Sequence, residues 1–241
     1  MPPKKSKPSP VQRATGKGAP AAGTPVGLPS DVAAIRKEIS QFFNTKDSHG
    51  KQIGNYTFGV YAFYDYDGEP IYIGQTYEGL RSRISRHLTN QRTDAVAMNV
   101  LDPFEVAEIA IWPLDVSSVA IGERRAYLDR AEFTLFQKVI RESRLGAVLN
   151  EKVPVAVRVI ELPECHRKRI IPDSIYPQRK HPDIRIARRA NTIASLARVI
   201  SERKVSPGLR RTLLTQAKRL ESLAETRLKE LGHVSNDEDA D

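Results

Sequence analysis

Two tyrosines, an arginine, a histidine and a glutamate are the residues here whose types and spacing suit chemistry. Tyr61 and Tyr72 sit in Gly59-Val60-Tyr61 and Tyr72-Ile73-Gly74, on either side of Asp67-Gly68. Read as two antiparallel strands closed by a two-residue Asp67-Gly68 turn, the segment pairs Tyr61 with Gly74. Strand side chains alternate faces, so Tyr61 and Tyr72 then lie on one face as diagonal neighbours. Arg83 and His87, four apart in LRSRISRH, share one face of a helix. An arginine clamps a phosphate through paired hydrogen bonds, and a histidine passes a proton near neutral pH. Each group also has a plainer reading. The tyrosines suit a half-buried sheet, and Arg83 suits a solvated basic face, since Arg81 and Arg86 are on the same helix.

Glu132 is set differently. Leu128, Leu135, Phe136 and Val139 surround it at helical spacing. A carboxylate inside an apolar stripe loses hydration worth several kcal/mol unless something pairs with it. A buried arginine would answer that structurally, and a metal ion functionally. Glu123 and Asp129 fall away from the stripe.

The elements that must position these groups can be read from periodicity. DVAAIRKEISQFF, 31–43, is a helix behind a Ser30 cap, with Val32, Ile35, Ile39 and Phe42 on one face. Residues 56–74 read as the hairpin, 80–90 as a short helix and FEVAEIAIW, 104–112, as a third strand. A long helix follows over 118–143, and VPVAVRVI, 153–160, reads as a further strand. The fold class is α+β: a small domain with an antiparallel three-stranded sheet flanked by helices. After Pro163 the chain turns proline-rich and basic, then forms two amphipathic helices, 184–203 and 207–231, read as a basic αα-hairpin. The division is a disordered basic arm over 1–29, the α+β domain over 30–162, a linker and helical hairpin over 163–232, and an acidic tail over 233–241.

Charge and composition narrow the partners. The 241 residues carry a net charge of +9 and one cysteine, Cys165, which excludes an intramolecular disulfide framework. Cys165 and His166 alone do not make a zinc site. No apolar run is long enough to span a membrane, and the first thirty residues lack the apolar core of a signal peptide. Those thirty hold five Lys/Arg and no acid. Between Glu164 and Arg211 thirteen Lys/Arg face four Asp/Glu. A polyanion partner, nucleic acid before others, is one reading of that surplus, and a solubilising surface is the other. Arg81, Arg86, Arg185, Arg188 and Arg189 are the arginines expected on a nucleic-acid face.

In order along the chain these residues resemble the GIY-YIG nuclease family. Gly59-Val60-Tyr61 is similar to its first motif, and Tyr72-Ile73-Gly74 matches the second letter for letter. Leu80-Arg81-Ser82-Arg83-Ile84 resembles the helix that carries the family's arginine, with His87 four residues on. Glu132, in AEFTLF, is similar to the metal-binding glutamate, and Asn150, in AVLNE, to the closing asparagine. The resemblance covers about 56–151. One residue more than the commonest family spacing separates Tyr72 from Arg83, which leaves Arg81 as the alternative arginine.

The resemblance implies a DNA endonuclease that binds one Mg²⁺ at Glu132 and leaves 5′-phosphate and 3′-hydroxyl ends. Tyr61 would activate the water with help from Tyr72 and His87, Arg83 would hold the phosphate, and Asn150 would fix the loop behind the glutamate helix. RNA stays open as substrate. So do a catalytically silent binding protein and a homodimer through the C-terminal helices; for the cellular role, restriction or other defence is expected ahead of repair, recombination or mobile-element cleavage, because the extra segment is compact and no repair module is visible. The expected place is the cytoplasm, at the nucleoid.

Overall fold

A computed structural model of the chain describes residues 30–88 and 100–238, with side chains to 232. The basic arm 1–29 and the end of the acidic tail lie outside the described residues. Helix α1 (Ser30–Phe43) leads to strands β1 (Phe58–Tyr64) and β2 (Pro70–Thr76) and helix α2 (Leu80–Leu88). Strand β3 (Glu108–Leu114) and helix α3 (Arg124–Glu142) follow. The chain continues with β4 (His166–Arg169), α4 (Tyr176–Lys180), α5 (Pro182–Glu202) and α6 (Pro207–Glu238).

The four strands form one sheet in the order β2-β1-β3-β4, each neighbour antiparallel. Alternation sorts its two faces. Val60, Ala62, Ile73, Ala110 and Trp112 pack against Leu128, Ala131, Leu135 and Val139 of α3. On the other face Tyr61, Phe63, Ile109 and Ile111 pack with Phe42 and Phe43 of α1 and with Leu80 and Ile84 of α2. Leu196 and Val199 of α5 and Leu209 of α6 belong to that second core. Residues beyond the expected boundary at 163 thus pack into the same core as α1 and α2.

The hairpin departs from expectation in two ways that cancel. Its loop has three residues, Tyr66-Asp67-Gly68, because Asp65 N–H bonds to the Glu69 carbonyl at 2.9 Å. Gly68 takes φ +72°, the left-handed position such loops reserve for glycine. An irregularity between Phe63 and Tyr64 then leaves Ile71 as an extra residue on β2 and restores the register, so Tyr61 pairs with Gly74 and Phe63 with Tyr72.

The sheet has four strands where three were expected, and 153–160 is not one of them. Pro154 offers no ladder donor, and part of the β2 edge and the open side of β3 are already used. On the β2 side Leu149 N–H bonds to the Ile71 carbonyl at 2.8 Å, and Asn150 takes both backbone groups of Ile73. The β3 side is taken by β4, whose sequence is HRKR. Val153, Val155, Val157 and Val159 consequently stay exposed.

The basic stretch after 163 neutralises about half of its cations within the fold. Of its thirteen cations, seven pair with acids: Arg167 with Glu108, Lys168 with Glu38, Arg169 with Asp173, Arg179 with Asp31, Arg185 with Asp67, Arg188 with Asp102 and Arg189 with Glu105. Arg185 and Arg189 are only 1% and 4% exposed. This corrects the assignment of Arg185 and Arg189 to a nucleic-acid face. Their partners lie at the hairpin tip and before β3, so a guanidinium that looked free in sequence is neutralised in the fold. Asp65 is the hub. Its Oδ1 accepts from the N–H groups of Asp67 and Glu69, and its Oδ2 accepts from Arg189 at 3.0 Å and from Arg219 at 2.5 Å.

Candidate active site at the β2 edge

Strand β2 runs along one edge of the sheet, and a cleft opens beside it. Tyr72 and Gly74 reach the cleft from one face of the sheet, Gln75 and Glu132 from the other, and Arg83 and Asn150 complete the wall. The site thus straddles an edge: α3 supplies its carboxylate and α2 its cation, from opposite sides of one strand.

Tyr61, Tyr72 and His87 form one cluster. The His87 ring centre is 5.1 Å from that of Tyr72 and 5.9 Å from that of Tyr61, and the two phenol rings are 6.4 Å apart. Phe63 closes the cluster at 5.8 Å from Tyr72 and 6.0 Å from His87. Tyr72 lines the cleft, whereas Tyr61 is fully enclosed and His87 nearly so. The Tyr61 hydroxyl lies directly behind Gly74, which itself lines the cleft. A phenol therefore approaches the cleft through the space a side chain would occupy.

Helix α2 settles which arginine faces this cluster. Arg83 lines the cleft. Burial opposes its charge, but the facing Tyr61 and Tyr72 phenols and Glu78 hold its pKa above the usual arginine value. Arg81 points away: its Nη2 donates to Asn44 Oδ1 at 2.8 Å, and its guanidinium lies 5.2 Å from the Phe43 ring centre. Arg86 pairs with Glu78. Gly79, at φ +109°, turns the chain from β2 into α2, whose start is tied down by Gly79 N–H to the Thr57 carbonyl and Leu80 N–H to the Tyr56 carbonyl, each 3.0 Å.

Glu132 meets neither a buried arginine nor a wholly apolar surrounding. Gln75 Nε2 donates to Glu132 Oε2 at 3.0 Å and to Asp129 Oδ1 at 3.1 Å, so one amide joins two carboxylates one helical turn apart. Burial first, and then the neighbouring charge of Asp129, push the Glu132 carboxyl up to about 7, against the pull of Arg125 and Arg83. Gln75 Oε1 is buried without a hydrogen-bond partner among the described residues. Neither Gln75 nor Asp129 stood out in the sequence. The available signal was alternation, which puts a polar Gln75 on the same face as Val60 and Ile73.

Among the described residues no group of three or more His, Cys, Asp and Glu side chains is arranged to hold a metal. The donors at this edge are all oxygens: Glu132, with Asp129 beside it and the spare oxygen of Gln75. That set fits a hard cation that keeps most of its water, and not zinc or another ion that demands nitrogen or sulfur. Asn150 holds the strand rather than the cleft floor. Its Nδ2 donates to the Ile73 carbonyl at 2.8 Å and its Oδ1 accepts from the Ile73 N–H at 3.0 Å. It thus occupies one stretch of the exposed edge of β2.

Residues 57–121 match the family model of the GIY-YIG catalytic domain. The match covers Gly59, Tyr61, Tyr72, Gly74, Arg83 and His87, and Glu132 and Asn150 lie beyond it. It bears out the resemblance to the GIY-YIG nuclease superfamily and supports a nuclease, a phosphodiesterase, in general. Comparisons with curated proteins and with solved structures give no match.

Proposed function

We propose that the protein is a Mg²⁺-dependent DNA endonuclease that cuts phosphodiester bonds to 5′-phosphate and 3′-hydroxyl ends. The observation that carries this reading is the meeting of Tyr72, Arg83 and Glu132 in one cleft, with Tyr61 and His87 packed directly behind. A phosphodiester repels nucleophiles by its own charge, so cleavage needs a cation at the phosphate, a base for the water and support for the leaving oxygen.

Arg83, held firmly charged beside two phenols, would bind the scissile phosphate. A lone phenol of pKa about 10 is a weak base at neutral pH. Tyr61, its hydroxyl behind Gly74, would therefore take the water's proton as its own passes to a neutral His87, with Tyr72 at the wall hydrogen-bonding the water. Glu132 would hold one Mg²⁺, with Asp129 and Gln75 orienting its carboxylate. When bound, the ion supplies positive charge beside the departing 3′ oxygen. Asn150 keeps β2 in place so that Tyr72 and Gln75 stay on their two sides of the edge.

Such an enzyme would act in the cytoplasm at the nucleoid, and among the described residues no helix is long and apolar enough to cross a membrane. A homodimer would form through the last turns of α6, where Leu228 and Leu231 are exposed, and light scattering measures it. Whether the chemistry serves restriction, other defence or repair turns on the shape of DNA the cleft accepts.

The test is incubation of the purified protein with supercoiled plasmid, branched DNA and RNA, each with Mg²⁺ or EDTA. Cutting of DNA with Mg²⁺ alone is expected. Binding without cutting under any condition would make the protein a silent nucleic-acid-binding relative, and cutting of RNA alone would make it a ribonuclease.

A further inference from the structure

Tyr77 is 53% exposed, yet it is neither loose nor isolated. It stands between the end of β2 and the start of α2, in a loop held by Glu78 N–H on Thr76 Oγ1 at 3.0 Å and by the bonds of Gly79 and Leu80 to Thr57 and Tyr56. The Arg125 guanidinium lies 5.1 Å from the Tyr77 ring centre, and Arg125 Nε is 3.3 Å from Asp129 Oδ1. Asp129 shares the Gln75 amide with Glu132. A continuous chain of contacts therefore runs from the carboxylate proposed to hold the metal to an exposed aromatic ring. All of its members except Asp129 line the same cleft as Arg83.

We propose that Tyr77, backed by Arg125, is a stacking platform for an unpaired base next to the scissile phosphate. This rests on the endonuclease reading and gives that cleft its substrate class. Duplex DNA hides the faces of its bases and offers only their edges in the grooves. An exposed ring held rigidly beside the phosphate site has a partner of its own kind only where a base is out of the stack, as in a bubble, flap, branch or mismatch. Stacking of a base on an aromatic side chain is sequence-tolerant, and an arginine beside the ring adds to it. The platform selects DNA shape, not sequence. It moves the cellular role toward the structure-selective alternative, repair or recombination.

The test separates this inference from the nuclease reading. Binding is measured by fluorescence anisotropy in the Glu132→Gln background, so that nothing is cut, on a duplex and on the same sequence with a small unpaired bubble. Tyr77→Ala is expected to weaken bubble binding by about 5- to 150-fold, the range that one base–aromatic stack supplies, and duplex binding by less than about 2-fold. Tyr77→Phe, which keeps the ring and drops the hydroxyl, is expected to bind both like its parent. Equal losses on duplex and bubble, no loss on either, or a phenylalanine variant as weak as the alanine one would each overturn the platform. Plasmid cleavage by the wild-type protein tests the nuclease reading separately. A protein that does not cut but shows the bubble-specific loss keeps the platform, and one that cuts without that loss does not.

Discussion

The Tyr61 phenol lies across Gly74, its cross-strand partner, at the place where any other residue would put a β-carbon. That carbon would stand 2.5 Å from Tyr61 Cζ and 3.0 Å from Cε1. The glycine of the second motif and the tyrosine of the first are thus one packing unit across two strands. Gly74→Ala is expected to destabilise the fold by about 1–3 kcal/mol through overpacking and to cut cleavage by up to about 10²-fold, the loss that a shift of about 1 Å in a catalytic group can bring. Gly122→Ala, where a β-carbon meets nothing within 4 Å, should leave both unchanged. Tyr61→Phe should keep the melting temperature and lose cleavage. Thermal melts and a plasmid assay read all three, and an active Tyr61→Phe enzyme would leave the ring a core aromatic only.

Arg83 and Arg81 differ by about 200° around α2, and the structure sends them to different neighbours. Arg83→Ala is expected to lower turnover at least about 10²-fold, the usual size of a lost transition-state contact. Arg81→Ala removes only the bond to Asn44 and the Phe43 contact, so turnover should stay within about twofold, as for other surface polar contacts. The opposite ranking in steady-state kinetics would return the role to Arg81.

Glu132 links acidity to stability. Its carboxyl titrates near 7 in the ion-free folded protein and at 4.5 as a free side chain. Between those values the folded state keeps a proton that the unfolded state has released, so this group's contribution falls as pH rises from 4.5 to 7 and is level above. Glu132→Gln lacks that loss. The variant should melt higher than wild type at pH 8 with EDTA, and the gap should close near pH 4. Mg²⁺ needs the ionised carboxylate, so wild-type affinity in titration calorimetry should weaken by up to about tenfold for each pH unit below 7. A gap independent of pH would remove Glu132 from the buried carboxylates.

Asp65 holds the hairpin tip against α5 and α6 through Arg185, Arg189 and Arg219. Asp65→Ala strands buried guanidinia and should cost about 3–5 kcal/mol, roughly 6–20 °C in melting temperature for a chain of this size. Arg227→Ala, which breaks the more exposed pair with Asp183, should barely move the melting temperature. Similar shifts for the two variants in a thermal melt would contradict the hub.

The sequence by itself determined the parts governed by short-range periodicity. Alternation put Tyr61 and Tyr72 on one face, and that held although the loop is a residue longer, because the extra residue at Ile71 restored the register. Helical spacing put Arg83 and His87 together and Arg81 elsewhere. Tertiary structure alone decided which charges are free and which strands exist. β4 carries no apolar pattern, since all four of its residues are basic or histidine, and it is a strand only because β3 offered an open edge. VPVAVRVI has the better strand pattern and is none: it pairs with no strand, and Ile160 N–H is bonded to the Thr134 hydroxyl of α3. Arg189 finds Glu105 and Asp65 at 84 and 124 residues' separation, and Gln75 joins Asp129 and Glu132 across more than fifty. Periodicity reports which way a side chain points. Whether a charge there is buried and paired depends on groups brought close by folding, and no local spacing encodes them.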